Sequence, residues 1–185
     1  MLVLVGKTAT GKDTIFKYIV RYGLKPIVTY TTRPSRNGEI DGESYHFISK
    51  EKFLELKKKG FFAETTSYNV ATGDTWYYGS AVKDYGDDNS AIILNPEGLK
   101  QLKNNNIEFT SFLITASDET IMRRLERRGD KKEEADRRLK ADKEDFKDIY
   151  DLVDFSFTND LGIEPSMLAF LICHTYSTVN EAKEN

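Results

Sequence analysis

The 185-residue sequence contains one cysteine, Cys173, and only four prolines, at positions 26, 34, 96 and 165. One thiol excludes an internal disulfide framework and any multi-cysteine metal site. It accords with a reducing cytosol, so a cytoplasmic protein is expected. No apolar run approaches the roughly 20 residues of a membrane-spanning helix, and the first such run, Leu2–Val5, is too short for a secretory signal. The net charge of −3 gives no global reason to bind nucleic acid or an anionic membrane. There are no internal repeats or low-complexity tracts. What is present is core material: 11 Phe and 10 Tyr argue against a disordered chain. The length suits one domain carrying small inserted subdomains.

Leu2-Val3-Leu4-Val5 has the length of a buried strand. Gly6-Lys7-Thr8-Ala9-Thr10-Gly11-Lys12-Asp13-Thr14 follows, and then Ile15, Phe16, Ile19 and Val20 fall on one face of a helix. Strand, glycine-rich loop and helix form the context in which G-x-x-x-x-G-K marks a phosphate-binding loop. Gly6 and Gly11 allow successive backbone N–H groups to converge on phosphate oxygens, and the helix N-terminus adds partial positive charge. Lys12 can reach the β- and γ-phosphates. The residue after the lysine is usually Ser or Thr, whose hydroxyl binds Mg²⁺; here it is Asp13, followed by Thr14. A carboxylate there can bind Mg²⁺ directly or through water, or it can simply favour the positive end of the helix.

Further core strands are expected at Ile27-Val28, Ala91–Leu94, Phe109–Ile114 and Val153–Phe157, separated by helical patterns. This is the signature of a largely parallel five-stranded sheet covered on both faces. Between Ile27 and Ala91 the pattern changes to short β-like pieces, Tyr45–Ile48 and Thr75–Tyr78. One helix, Lys50–Lys59, lies among them with Ser49 as its cap, which indicates an inserted small α+β subdomain. Residues 121–143 form a block rich in Arg and Lys mixed with acids. Such a block is either a solvated helical surface held by i,i+4 pairs or a mobile segment that closes over ATP and stabilises charge on a transferring phosphoryl group.

The run Thr31-Thr32-Arg33-Pro34-Ser35-Arg36-Asn37-Gly38-Glu39-Ile40-Asp41-Gly42-Glu43-Ser44-Tyr45-His46-Phe47 closely resembles the GMP-binding signature of guanylate kinases. The likeness continues through Phe62-Ala63-Glu64, Tyr78-Gly79-Ser80, Arg124-Leu125, Arg128-Gly129, Arg138-Leu139, Tyr150-Asp151 and Asn159-Asp160. It implies an α/β fold of the P-loop NTPase type. A core of residues 1–30, 87–120 and 144–185 would carry a nucleoside-monophosphate-binding subdomain, 31–86, and a helical lid, 121–143. It implies transfer of a phosphoryl group from ATP to GMP, and also to dGMP, with Mg²⁺ accompanying ATP, in a monomer or homodimer. By resemblance, Gly6, Thr8, Thr10, Gly11, Lys12, Asp13 and Thr14 would hold the ATP phosphates, with Asp13 at the metal and Asn159 at the adenine. Arg33, Arg36, Tyr45 and Tyr78 would hold the acceptor phosphate; no acidic residue lies between the two arginines. Glu64 would accept from guanine N1–H and the 2-amino group, and Ser80 and Thr29 would approach O6. Lys12, Arg124, Arg128 and Arg138 would act on the transferring group. His46, His174 and Cys173 are read as structural.

The sequence departs from that pattern in three places. Asn95 stands where the family carries an acid that helps recognise guanine and organise Mg²⁺, and Asp13 is a candidate to replace its charge. The stretch from Glu64 to Tyr78 is longer than usual, so Tyr68–Thr75 is expected to form an added loop. The lid is a residue short, which leaves Arg137 and Arg138 as alternatives for one role. A Gly-Lys-Asp loop paired with Asn on the later strand is also similar to ribose 1,5-bisphosphate phosphokinase, a second reading of the acceptor. A third reading is a non-catalytic guanylate-kinase-like interaction module; the intact loop with Lys12 stands against it.

Overall fold

In the computed structural model, which describes residues 1–70, 73–130 and 132–184, Leu2, Val3, Leu4 and Val5 are fully buried. They form β1 (Leu2–Gly6). There follow α1 (Lys12–Arg21), β2 (Lys25–Pro26), β3 (Tyr30–Thr31), β4 (His46–Phe47), α2 (Lys50–Lys58), β5 (Phe62–Asn69) and β6 (Thr75–Ala81). The second half contains β7 (Ser90–Leu94), α3 (Pro96–Asn104), β8 (Thr110–Thr115), α4 (Asp118–Arg128), α5 (Lys132–Asp145), β9 (Phe155–Thr158) and α6 (Pro165–Glu184). The larger sheet has the order β2-β7-β1-β8-β9 and is parallel throughout.

Successive β1 side chains point to opposite faces. Leu2 and Leu4 pack with Ile15 and Ile19 of α1 and with Leu168 and Ile172 of α6. Val3 and Val5 pack with Leu99 and Leu102 of α3 and with Phe146 and Ile149, just beyond α5. A central parallel strand has no wet face, which is why its sequence is apolar without alternation. Among the described residues no helix is long and apolar enough to cross a membrane.

The edge strand lies earlier than Ile27-Val28. Lys25 and Pro26 make the pairing, opposite Ser90 and Ala91, and Ile27 adds one more bond, its N–H to the Ala91 carbonyl at 2.9 Å. An edge strand has one partner only, so Pro26, which cannot donate, is tolerated there.

The smaller sheet has the order β4-β3-β6-β5. β5 extends over residues expected to form a loop: Tyr68 pairs with Trp76 and Asn69 with Thr75. The added residues therefore lengthen a hairpin, as suits a run of Thr, Tyr and Trp; the remainder of the expected loop includes Ala71 and Thr72, outside the described residues. α2 starts at Ser49, whose hydroxyl accepts from Lys52 N–H at 3.2 Å, and rests on this sheet through its only buried residue, Phe53. The Phe53 ring stacks on Phe62 at 4.4 Å and lies 5.5 Å from Tyr77. The block 121–143 contains most of α4 and α5, separated by Gly129, which caps α4 with φ of +74°. Ile121 and Leu125 of α4 pack with Ala135 of α5.

Removing the one side chain that seats α2 leaves a cavity beneath it. Phe53→Ala is expected to cost about 3–5 kcal/mol of unfolding free energy, measured by urea denaturation. A loss below about 1 kcal/mol would show that the helix is seated by other contacts.

Candidate active site

The chain leaves β1 at the C-terminal end of the large sheet, the edge at which parallel sheets bind ligands. A Cβ on Gly6 would lie 2.8 Å from both the Ile114 carbonyl oxygen and Thr10 Oγ1. Gly11 has φ of +86°, and a Cβ there would lie 2.4 Å from Asn159 Nδ2. Neither position admits a side chain without rearrangement. The loop carbonyls are satisfied from several directions. Thr10 Oγ1 donates to Lys7 O at 2.9 Å, and Lys12 Nζ reaches the same carbonyl at 3.3 Å. Thr10 O accepts from Asn159 Nδ2 at 2.7 Å and from Arg124 Nη1 at 3.0 Å. The Thr8 N–H donates to Asp142 Oδ2 at 2.6 Å. Asp13, in the first turn of α1, is 81% exposed, with Oδ2 3.9 Å from Lys12 Nζ; Thr14 beside it is exposed.

Asn159, expected against adenine, is buried against the loop, and its Oδ1 has no partner among the described residues. Of the arginines expected in a lid, Arg124 is tied to the loop, and burial lowers its pKa while Asp160 opposes the shift. Arg128 forks onto Asp130, donating from Nε at 2.7 Å and also from Nη2. That pairing raises its pKa, and the charge of Asp13 adds to the effect. Arg138 Nη1 lies 3.8 Å from the same Asp130 carboxylate.

Across from the loop, β5 carries a bulge between Phe62 and Glu64, after which Glu64 stands directly opposite Ser80 of β6. Such an extra residue re-aims the side chains that follow it. Glu64 is 4% exposed and Ser80 fully buried. The Ser80 hydroxyl donates to Glu64 Oε1 at 2.6 Å and lies 2.5 Å from the Tyr85 hydroxyl. Because serine has a single O–H, the Tyr85 hydroxyl is the donor in that second bond. Burial raises the pKa of Glu64, and the bonds from Ser80 oppose it. The Tyr85 phenol is raised well above its ordinary value, first by burial and then by the charge of Glu64. Thr29 lies just before β3, its carbonyl accepting from His46 N–H at 2.9 Å; the His46 ring rests on Tyr30 at 4.4 Å. Asn95 caps α3, with Oδ1 accepting from Gly98 N–H at 2.8 Å. Its Nδ2 donates to Thr66 Oγ1 at 3.0 Å and to the Tyr68 hydroxyl at 2.9 Å.

Arg33 has an acidic partner that lies beyond the arginine pair. Its Nη1 and Nη2 bind Glu39 Oε2 and Oε1 at 2.7 and 2.5 Å, and Nη1 also reaches Pro34 O at 2.9 Å. The guanidinium lies 4.7 Å from the centre of the Tyr45 ring, and the Tyr45 and Tyr78 rings are 6.2 Å apart. The fork holds the Arg33 charge firmly and lowers the Glu39 carboxyl to about 2, helped by the Arg36 N–H. The Arg36 side chain itself is exposed.

The fold thus brings together the loop residues with Arg124 and Asn159, then Glu64 with Ser80, and Arg33 with Tyr45 and Tyr78. Sequence reasoning missed Glu39, Tyr85 and Asp142. Glu39 lies in the quoted signature and was readable as a candidate partner by its charge. Asp142 lies 134 residues from the amide it binds, so nothing local announces it.

The guanylate kinase family model matches residues 1–161. Over 169 residues the chain is 34% identical to the guanylate kinase of Nostoc sp., covering 86% of this chain and 82% of that protein. It is 32% identical over 192 residues to that of Clostridioides difficile, covering 99% of this chain and 91% of that protein. The structure aligns with the crystal structure of guanylate kinase from Anaplasma phagocytophilum at a TM-score of 0.70 and 22% identity, covering 96% of this chain and 84% of that one. That likeness supports the fold, and the sequence matches carry the assignment: the chain belongs to the guanylate kinase family and is a kinase.

Proposed function

We propose that the protein transfers the γ-phosphoryl group of ATP to GMP, giving ADP and GDP, and accepts dGMP as well. The buried Glu64–Ser80–Tyr85 chain carries the base assignment. With Tyr85 donating to Ser80 and Ser80 to Glu64 Oε1, the carboxylate retains acceptor capacity on its other oxygen. Guanine offers an N–H and an amino group on one edge, so an acceptor-rich pocket suits it. A sugar phosphate offers hydroxyl donors but not the paired N–H donors that guanine presents on one edge. Asn95 is the observation that favours the ribose 1,5-bisphosphate reading, since it brings no charge and its amide is already bonded to Gly98, Thr66 and Tyr68.

Donor phosphates would lie on the loop amides with Lys12 as the point charge. Asp13 would hold Mg²⁺ through its exposed carboxylate, and the ion would supply charge neutralisation at the donor phosphates. At the acceptor, Glu39 fixes the plane of Arg33. It occupies one N–H on each terminal nitrogen, and Pro34 takes the other on Nη1. Nε–H and one Nη2–H remain for a phosphate, beside the Tyr45 and Tyr78 phenols and the exposed Arg36. The acceptor oxygen is already ionised near neutral pH, so no general base is required. Rate enhancement comes from alignment and from the charges of Lys12, Arg124, Arg128 and Arg138 around the transferring group.

A coupled ADP-release assay over GMP, dGMP, AMP, UMP, CMP and ribose 1,5-bisphosphate tests this reading. Turnover is expected with GMP and dGMP; turnover with ribose 1,5-bisphosphate alone would overturn it. Lys12→Ala is expected to lower kcat by about 10³-fold or more while GMP binding, measured calorimetrically, is retained.

The Arg33–Glu39 fork has a pH signature. Glu39 is lowered to about 2 from an ordinary value of about 4.3. Its contribution to stability is therefore complete above about pH 4.3 and is lost as pH falls through about 2. In an NMR titration, Arg33→Met should return the Glu39 midpoint toward about 4.3; an unmoved midpoint would assign the shift to the Arg36 N–H instead.

A further inference from the structure

The carboxylate of Asp142 lies where the phosphate loop binds an anion. Asp142 belongs to α5, within the block 121–143, and its Oδ2 takes the Thr8 N–H at 2.6 Å. That length falls at the short end for a charge-assisted bond. Burial raises the Asp142 pKa, and the Thr8 N–H and the charges of Lys12 and Lys7 oppose that shift. A backbone amide of the loop together with the loop lysine is the set of contacts that such loops offer to phosphate. Here a side chain of the same protein uses part of that set.

The contact is not that of a loose surface side chain. Four residues beyond Asp142, on the same face of the helical turn, Phe146 is buried in the core cluster with Val3 and Val5 of β1. The strand that feeds the loop thus also anchors the segment that delivers the carboxylate. Four residues before Asp142, Arg138 occupies the corresponding place one turn earlier. One face of α5 therefore carries Asp142 on the loop and, a turn earlier, Arg138 beside Asp130.

A single N–H serves one strong acceptor, and two anions at one amide repel. We propose that Asp142 sets the donor affinity of this enzyme: its carboxylate competes with the donor's terminal phosphate for the Thr8 amide, so donor binding requires Asp142 to withdraw from the loop. This inference rests on the reading of the donor as ATP. Withdrawal exchanges the Asp142 charge for that of the incoming phosphate. Asp142 is thus a positioning residue of α5, coupling that helix to the occupancy of the loop.

The test is calorimetric binding of ATP with Mg²⁺ to the full-length wild type, Asp142→Asn, Asp142→Ala and Lys12→Ala, with GMP binding measured in parallel. ATP is expected to bind Asp142→Ala about tenfold or more tightly than the wild type. Asp142→Asn, which keeps a neutral acceptor for the amide, should fall between them, with GMP affinity unchanged in both. A residue that only staples α5 to the loop predicts the reverse order, so unchanged or weakened ATP binding in both variants overturns the proposal. Asp142→Asn preserves shape and helix, so it guards against a folding defect in the alanine variant. ATP binding that needs Lys12 but ignores Asp142 overturns this inference alone. ATP binding absent from all four proteins overturns the donor reading and this inference with it.

Discussion

A loop that turns its N–H groups inward to meet an anion must turn carbonyls outward, and those carbonyls need donors. In this protein the donors come from distant parts of the chain. Asn159, after β9, and Arg124, on α4, both bond Thr10 O, while Lys12 bonds Lys7 O. Each partner is held by its own element: α4 by Ile121 and Leu125, and β9 by its pairing with β8. Satisfying the backbone of six residues thus draws the last strand of the large sheet and α4 onto the end of β1. The glycines follow from the same demand. A Cβ on Gly11 would collide with Asn159 Nδ2, so the Asn159 bond and the glycine depend on one another.

The acceptor side obeys a related constraint with opposite sign. A carboxylate 4% exposed needs donors in proportion to its lost hydration. Ser80 supplies one directly, and Tyr85 fixes which way the Ser80 proton points. The bulge between Phe62 and Glu64 makes this possible. With regular pairing, a one-residue displacement would turn the Glu64 side chain to the other face of the hairpin.

Where one stretch of chain decides its own conformation, the sequence shows it. The apolar run before the loop, the helical period after it and the Ser49 cap correspond to β1, α1 and the start of α2. The matching runs later in the chain correspond to β7, β8 and β9. The edge strand is displaced because one-sided pairing leaves a weak pattern. The long hairpin was hidden for a related reason: Thr65-Thr66-Ser67-Tyr68-Asn69 is polar on both faces, so no alternation distinguishes it from a loop. Asn95 bears two meanings. By family alignment it replaces an acid at the base, whereas Asn followed by Pro at a helix start is a capping signature, and the structure shows that second role in the bond to Gly98. The Arg33–Glu39 fork and the Asp142–Thr8 bond are tertiary pairings, and composition or periodicity contains no trace of either.

These pairings also explain how a chain with a net charge of −3 can carry so many phosphate-directed cations. Arg33 has Glu39, Arg128 has Asp130, Lys12 has Asp13 within 3.9 Å, and the loop amide of Thr8 has Asp142. Cations crowded without partners would repel one another and strain the compact state. A partner of opposite charge removes that cost and fixes the side chain in place. It also sets a threshold that an incoming phosphate must exceed, because binding becomes exchange of one anion for another. Where the carboxylate shares the guanidinium fork, as Glu39 does, donors remain over and no exchange is needed. Where it sits on the single N–H of Thr8, the proposed donor phosphate has to displace it. On the proposed assignment the two phosphate sites therefore differ in kind: the acceptor arginine is oriented by its acid, and the donor loop is contested by one.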